Sequence, residues 1–341
     1  MNALVLRPES LAADAVTAGN GSAAAARHAL AGAALRAHPD FPAVRDAAVA
    51  NLVQLFRGDY LLGRLLLEEG RYITIQTILS LAACQQAEER SSWLTLGRLQ
   101  TRLAGSELAS RNRIEALVAI LERYGYLERR KAEEDMRITL LLPTARLWGA
   151  DAVLMEALAG PVARFGDAVP QGSAHRGLLA RARQAGQPHI EDAGLAAEAA
   201  PAAFDPQTPA WSSRDLAIAG AGHRSWHRAV APELDAYFAL RARHAELQGI
   251  ASRDGGYLTL LLLLWEAGHS ASAHVSLPFE LLSSHTGVSR THARLLIEQA
   301  EACGFIRLHA RGGRDIEVCD RLHEAMDTWF ADLMAFILAV D

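Results

Sequence analysis

Gly287-Val288-Ser289-Arg290-Thr291-His292-Ala293-Arg294-Leu295-Leu296-Ile297-Glu298-Gln299-Ala300-Glu301-Ala302-Cys303-Gly304 reads as a helix with both ends marked. Ser289 is a good N-cap because its hydroxyl can accept a free amide of the first turn. Gly304 supplies the left-handed residue that closes the helix. Arg290, Thr291 and Arg294 fall on one side, while Ala293, Leu296, Ile297 and Ala300 form an apolar stripe on the other. Leu277, Leu281 and Leu282 mark an amphipathic segment before this helix. Phe305 to Val318 follows as two strand-like runs around Gly312-Gly313, which reads as a hairpin.

The pattern occurs twice. Leu108 to Gly125 places Ser110-Arg111 where Ser289-Arg290 falls and Gly125 where Gly304 falls, an offset of 304 − 125 = 179 residues. Upstream, Tyr72-Ile73-Thr74-Ile75 matches Tyr257-Leu258-Thr259-Leu260 at an offset of 257 − 72 = 185. The first copy therefore carries a connection six residues longer, placed at Cys84 to Ser92. Downstream, Ile138-Thr139-Leu140 matches Ile316-Glu317-Val318 at an offset of 178. Matches whose slips fall in loops indicate a duplicated unit. Helix, turn, capped helix and Gly-tipped hairpin together read as a winged helix-turn-helix. The expected fold is mainly α: two such domains, each a three-helix core plus a β-hairpin wing, joined by long helices as a pseudo-dimer in one chain.

Composition fits that expectation. The chain has 341 residues, half of them apolar and only 6% aromatic, which favours helix over sheet and is long enough for two domains. The net charge of −5 argues against a surface coated with nucleic acid, though a local basic face remains open. Lys131 is the only lysine, so almost every cation is an arginine, the bidentate kind suited to phosphate and guanine. Cys84, Cys303 and Cys319 are odd in number and far apart, which suggests neither a disulfide framework nor a metal clip. The longest apolar run, Tyr257 to Trp265, is nine residues, where about 20 are needed to span a bilayer. No secretory signal is read at Met1 to Leu6, so a cytoplasmic location without membrane contact is expected.

In chain order, residues 1–40 read as a poorly ordered Ala/Gly/Ser-rich segment, broken at Gly19-Asn20-Gly21-Ser22, with one short helix at Ala23 to Ala37. Residues 41–166 hold the first unit and its flanking helices, beginning with a helix from Phe41 to near Gly58 and a helical piece at Leu61 to Glu69. Residues 167–230 are a Pro/Ala-rich linker, with short helices at Ala174 to Ala185 and near Ser213 to Ala221. Residues 231–341 hold the second unit. Long apolar helices after the hairpins, Pro143-Thr144 to about Phe165 and Asp320 to Val340, are expected to bury their stripes against another copy or another protomer.

In such a fold the third helix enters the major groove, and its first side chains reach base edges. Those positions are Ser110, Arg111, Asn112 and Arg113 in the first copy, and Ser289, Arg290, Thr291, His292 and Arg294 in the second. The hairpins would follow phosphates or enter a minor groove with Arg129, Arg130, Lys131 and Arg137, and with Arg307, Arg311 and Arg314. The alternative for these arginines is ordinary solvated surface. Thr95 to Pro143 carries nine Lys/Arg and seven Asp/Glu, whereas Val275 to Val318 carries five of each. The first copy is therefore the better candidate for affinity.

His223 and His227 stand four apart, as two imidazole ligands on one helical face do, and His269 and His274 five apart. No Cys or carboxylate sits at a supporting spacing and Arg224 and Arg228 lie alongside, so no metal site is expected. No catalytic motif is present either: there is no Gly-x-Ser-x-Gly, phosphate-cradling Gly loop or His-Glu-x-x-His. Neither an enzyme nor a bound cofactor is expected.

Both copies resemble winged-helix bacterial transcription regulators, most of all the MarR family, over more than half of the chain. Asp135-Met136-Arg137 followed by Leu142-Pro143-Thr144 is similar to that family's wing, and by that resemblance Arg137 is the wing-tip arginine. Ser289-Arg290-Thr291 with Arg294 is also similar to the recognition helix of GntR-type regulators. The arginine common midway along the MarR recognition helix is Ala116 here in the first copy and Leu295 in the second. The resemblance implies a fused dimer that binds double-stranded DNA, with a further homodimer open. It also implies a small aromatic effector held between core and wings, for which Trp93, Trp148, Trp265 and Trp329 are candidate lining residues. The expected function is a sequence-specific DNA-binding transcriptional regulator. The rival is a tandem winged-helix module for protein–protein contact. A tandem-wing replication initiator is a third reading, disfavoured because this chain is not strongly basic.

Overall fold

The computed structural model describes residues 8–58, 66, 68–104, 110–168, 223–270 and 272–339. They form a mainly helical structure with two small antiparallel sheets. Among them no helix is long and apolar enough to cross a membrane. The helices read at Ala174 to Ala185 and Ser213 to Ala221 lie outside the described residues, as does most of Leu61 to Glu69.

The first copy runs α3 (Glu69–Ala83), α4 (Leu96–Leu103), α5 (Arg111–Arg123), β1 (Leu127–Ala132), β2 (Asp135–Pro143) and α6 (Ala145–Ala159). The second runs α10 (Gly256–His269), β3 (His274–Val275), α11 (Phe279–Thr286), α12 (Arg290–Ala302), β4 (Ile306–Ala310), β5 (Asp315–Val318) and α13 (Asp320–Ala339). The copies agree in detail. Helices α5 and α12 are both 13 residues long. Their caps Ser110 and Ser289 have φ/ψ of −66°/156° and −66°/154°, and their closing glycines Gly125 and Gly304 have φ of 71° and 70°. At the start of each first helix a threonine hydroxyl back-bonds to a glycine carbonyl: Thr74 to Gly70 at 2.7 Å, Thr259 to Gly255 at 2.8 Å.

Each hairpin returns beside its own third helix. Strand β1 pairs β2 from Leu127↔Pro143 to Lys131↔Thr139, with a bulge before Ala132↔Asp135. Strand β5 pairs β4 from Ile306↔Val318 and takes β3 on its other edge. Gly312 and Gly313 turn the second tip with φ of 77° and 75°. The longer connection of the first copy is a loop folded onto Trp93, whose indole N–H donates to Gln86 O (3.1 Å) and Ala87 O (3.0 Å).

The copies are interlaced. Helix α2 (Phe41–Gly58), which precedes the first copy, packs on α10 of the second and also on α6. Helices α8 (Leu234–Ala242) and α9 (Ala245–Ala251), which precede the second copy, reach back to the first. Arg241 meets Glu69, Asp235 pairs with Arg102 (2.9 Å), and Asp254, just beyond α9, pairs with Arg71 (3.0 Å). One continuous apolar core runs through both copies, from Phe41 and Leu52 to Phe330 and Ile337.

Two expectations are corrected. A single helix, α1 (Pro8–Arg36), runs through the break read at Gly19 to Ser22. Its glycines mark close approach rather than a turn. A Cβ on Gly21 would stand 3.1 Å from Asp235 O, and one on Gly32 would collide with Asp332 and the Ala331 backbone. The apolar stripe of α13, expected against another copy or another protomer, is covered largely by α1, with a smaller contact to α6. His28 lies edge-on to Phe336 (5.3 Å), and Arg36 donates to Thr328 Oγ1 (2.6 Å) across the same seam.

Candidate functional site

The residues expected at a DNA interface divide sharply between the copies. On α5, Arg111, Asn112 and Arg113 are exposed, and neither arginine makes an ion pair among the described residues. Ser110 is occupied as a cap, its Oγ accepting the Arg113 N–H at 3.4 Å. On α12, Arg290 is engaged by Glu280, and Arg294 lies 3.6 Å from Glu298. Thr291 is exposed, and Ser289 caps His292 N–H at 3.2 Å. His292 does not face outward: it is half-buried, with Nε2 3.0 Å from Asp254 O. Its Nε2 is thus engaged within the protein.

The hairpins do not follow that division, since each carries both free and paired cations. Arg129 pairs with Glu122 (3.0 Å), Arg130 lies 3.6 Å from Glu128, and Lys131 donates to Thr139 Oγ1 (2.9 Å). Arg307 donates twice to Glu317, at 2.7 and 2.6 Å. Arg137, Arg311 and Arg314 are exposed and carry no ion pair among the described residues. Asp135 does not hold the Arg137 guanidinium. Its Oδ1 accepts the Arg137 backbone N–H (3.0 Å), and its Oδ2 lies 3.8 Å from Arg90.

Arg113 of α5 and His292 of α12 line one cleft of about 370 Å³, together with Glu68, Arg71, Arg253 and Asp254. The four tryptophans share none of the cavities found among the described residues. Trp329 alone lines a central cavity between the copies, facing Tyr72, Tyr237 and Tyr257. That cavity is about 60 Å³, well below the roughly 300 Å³ at which small-molecule pockets begin. Burial raises all three tyrosine hydroxyls, Tyr257 to about 12, so they serve as neutral hydrogen-bonding groups there.

A site not expected from the sequence lies where α3, α6 and α7 (residues 223–230) meet. Asp151, His223 and His227 are each 0% exposed. Both imidazole Nε2 atoms face the same carboxylate oxygen: His223 lies 2.5 Å and His227 2.8 Å from Asp151 Oδ2, and the two Nε2 atoms stand 3.2 Å apart. Gln76 donates its amide to Oδ1, and the Ser80 hydroxyl lies 3.3 Å from His227 Nδ1. Trp226 stacks on His223 (5.7 Å), and Trp148 packs edge-on to His227 (5.5 Å). Burial alone would raise the Asp151 carboxyl, but the hydrogen bonds and charge of the two histidines hold it well below the usual carboxylate range. Burial likewise lowers His227 against the pull of Asp151. The carboxylate missing from the sequence argument is therefore supplied from 72 positions upstream of His223. The signal available was Asp151 itself, on the apolar stripe of Leu147, Leu154 and Leu158.

His269 and His274 do not pair: His269 Nδ1 bonds Trp265 O (2.7 Å) and His274 Nδ1 bonds Asp315 (2.7 Å). No protein-family profile, curated protein or solved structure matches the chain.

Proposed function

We propose that this protein is a sequence-specific DNA-binding transcriptional regulator of tandem winged-helix type, in which the first unit makes the base contacts. The observation that carries the reading is the row Arg111, Asn112 and Arg113: exposed, without ion pairs among the described residues, and set on the first turn of a capped helix beside a hairpin. Helix α5 enters the major groove, where Arg reads guanine and Asn reads adenine bidentately. Arg137 follows the backbone from the wing. In the second unit Arg290 and Arg294 must first leave their carboxylates. Two half-sites on B-DNA lie about 34 Å apart, whereas α5 and α12 border a single cleft. That geometry favours one reading helix per chain, with the second unit as its packing partner, and a homodimer as the route to a second half-site.

A salt-dependent gel shift on genomic fragments tests this. Binding to a preferred sequence whose affinity falls steeply with salt supports it, because phosphate contacts release counterions. The rival reading, protein contact, is favoured by Leu281 (39% exposed) and Leu295 (43%) on the second unit. Absence of any salt-sensitive DNA binding would select that rival.

A further inference from the structure

We propose that Asp151, His223 and His227 bind one divalent first-row transition-metal ion, with zinc the ion the donor set fits best. Two imidazole nitrogens and a carboxylate oxygen, with a fourth position left for water, are a donor set zinc takes. The triangle of donor atoms has edges of 2.5, 2.8 and 3.2 Å. A triangle of that size has a point about 2 Å from every corner, the length of Zn–N and Zn–O bonds.

The surroundings suit a cation better than a hydrogen-bonded cluster alone. If both Nε2 atoms carry protons, two N–H groups 3.2 Å apart crowd one carboxylate oxygen. If both present lone pairs, they converge with Oδ2 on a positive charge. Outer contacts orient two of the three ligands, Asp151 and His227, while His223 Nδ1 has no hydrogen-bond partner among the described residues. Gln76 engages Oδ1 and leaves Oδ2 free, while the Ser80 hydroxyl, 3.3 Å from His227 Nδ1, would as an acceptor there leave Nε2 as the ligating nitrogen. Trp148 and Trp226 pack on the two imidazoles, and a buried carboxylate paired only with these histidines is further stabilised by a full counter-charge. Neither neighbouring arginine supplies it: Arg224 lies over the Trp148 ring at 4.9 Å, and Arg228 donates to Ala83 O at 3.2 Å.

Among the described residues the other convergent group, His274, His309 and Glu317, is exposed or half-exposed, and its carboxylate is already held twice by Arg307. The ion therefore ties α7 to α6 and, through Gln76 and Ser80, to α3. Because all three ligands are 0% exposed, it exchanges slowly and stabilises the fold by binding it. This site stands whether or not the chain binds DNA.

The test uses the full chain, stripped with chelator and titrated with Zn(II) against a chromophoric competitor, with Co(II) as the optical probe. One equivalent per chain is expected, with the visible d–d absorption of a low-coordinate Co(II) site and slow extraction by EDTA. Asp151→Asn and His223→Gln should abolish binding, and Gln76→Ala should weaken it 10–100-fold. His309→Ala should leave it intact. Should the ligand variants fail to fold, the wild-type Co(II) spectrum and EDTA rate decide alone. A folded wild-type chain that takes up no Zn(II), or gives only the pale spectrum and instant extraction of a surface ion, overturns the proposal. So does an equivalent that survives Asp151→Asn or is lost in His309→Ala.

Discussion

His292 Nε2 sits 3.0 Å from the main-chain oxygen of Asp254, so a side chain at the first turn of α12 is docked inward against the turn before α10. Its counterpart by the 179-residue offset is Arg113, which is exposed and makes no ion pair among the described residues. The two matched helices thus differ at the positions proposed to contact DNA. One keeps free cations, and the other uses the same positions for internal contacts and carboxylate pairs.

This divergence predicts unequal losses on mutation. Arg111→Ala and Arg113→Ala should each weaken specific DNA binding by about 1–3 kcal/mol and relax sequence choice. Arg290→Ala and Arg294→Ala should cost clearly less, because Glu280 and Glu298 already occupy those guanidiniums. Quantitative gel shifts at fixed salt make the comparison, and equal losses from the two pairs would refute the asymmetry.

In the first wing, Arg137→Ala should weaken binding to specific and random duplexes alike and reduce the salt slope by about one unit. Asp135→Ala should act oppositely. Its carboxylate contacts the Arg137 backbone N–H, not the guanidinium, so its removal takes a negative charge from the wing without releasing the arginine. Tighter binding by Asp135→Ala is the expected result. Weaker binding would mean that the turn held by Asp135 matters more than its charge.

The two capped helices, α5 and α12, were legible because their punctuation is local. Ser110, Ser289, Gly125 and Gly304 act within one turn of themselves, and their caps and positive φ values follow from residue type. The long-range features were not legible in the same way. Gly21 read as a breaker, because a glycine that ends a helix and one that lets two helices touch are the same letter. The Asp151 cluster needed three segments brought together by tertiary packing, and spacing along one helix could show only its two histidines. Free and paired arginines likewise share one letter, and only the fold places Glu280 beside Arg290.

The close approach of α1 to α13 predicts that Gly32 tolerates no larger residue. A Cβ there would lie 2.4 Å from Asp332 Oδ1 and 2.9 Å from Asp332 N. Gly32→Val should lower stability by about 1–3 kcal/mol through overpacking. Denaturant midpoints would show it, and an unchanged midpoint would mean that α1 is not held against α13 in solution.

Acid should loosen the same seam. Burial lowers His28, outweighing the nearby Glu233 carboxylate (3.8 Å), which raises it, while Arg27 lowers and Asp332 raises it to lesser extents. The folded-state value lies below the ordinary 6.5, so the stabilisation is fully present above about 6.5. It is lost as pH falls from there through the folded value. His28→Gln should flatten that part of the stability–pH curve, below about pH 6.5. A wild-type curve that falls no faster than the variant's over this range would remove His28 as the cause.

The ion pair of Glu69 and Arg241 joins the first helix of one copy to the helix preceding the other, and it should matter through what its breakage leaves behind. Their side chains are 8% and 14% exposed, so water screens the pair little. Replacing Arg241 with Leu leaves a buried carboxylate with Gln248 as its remaining close donor, a loss of about 3–5 kcal/mol for an uncompensated charge. Glu69→Gln on top of it removes that charge, and an apolar partner of similar volume then makes the exchange close to neutral. The double variant should therefore be more stable than Arg241→Leu alone by most of the original loss. Chemical denaturation of the wild type, both singles and the double closes the cycle. If Arg241→Leu and the double variant are equally stable, the Glu69 carboxylate has found water, and the two copies are joined by their shared apolar core rather than by this pair.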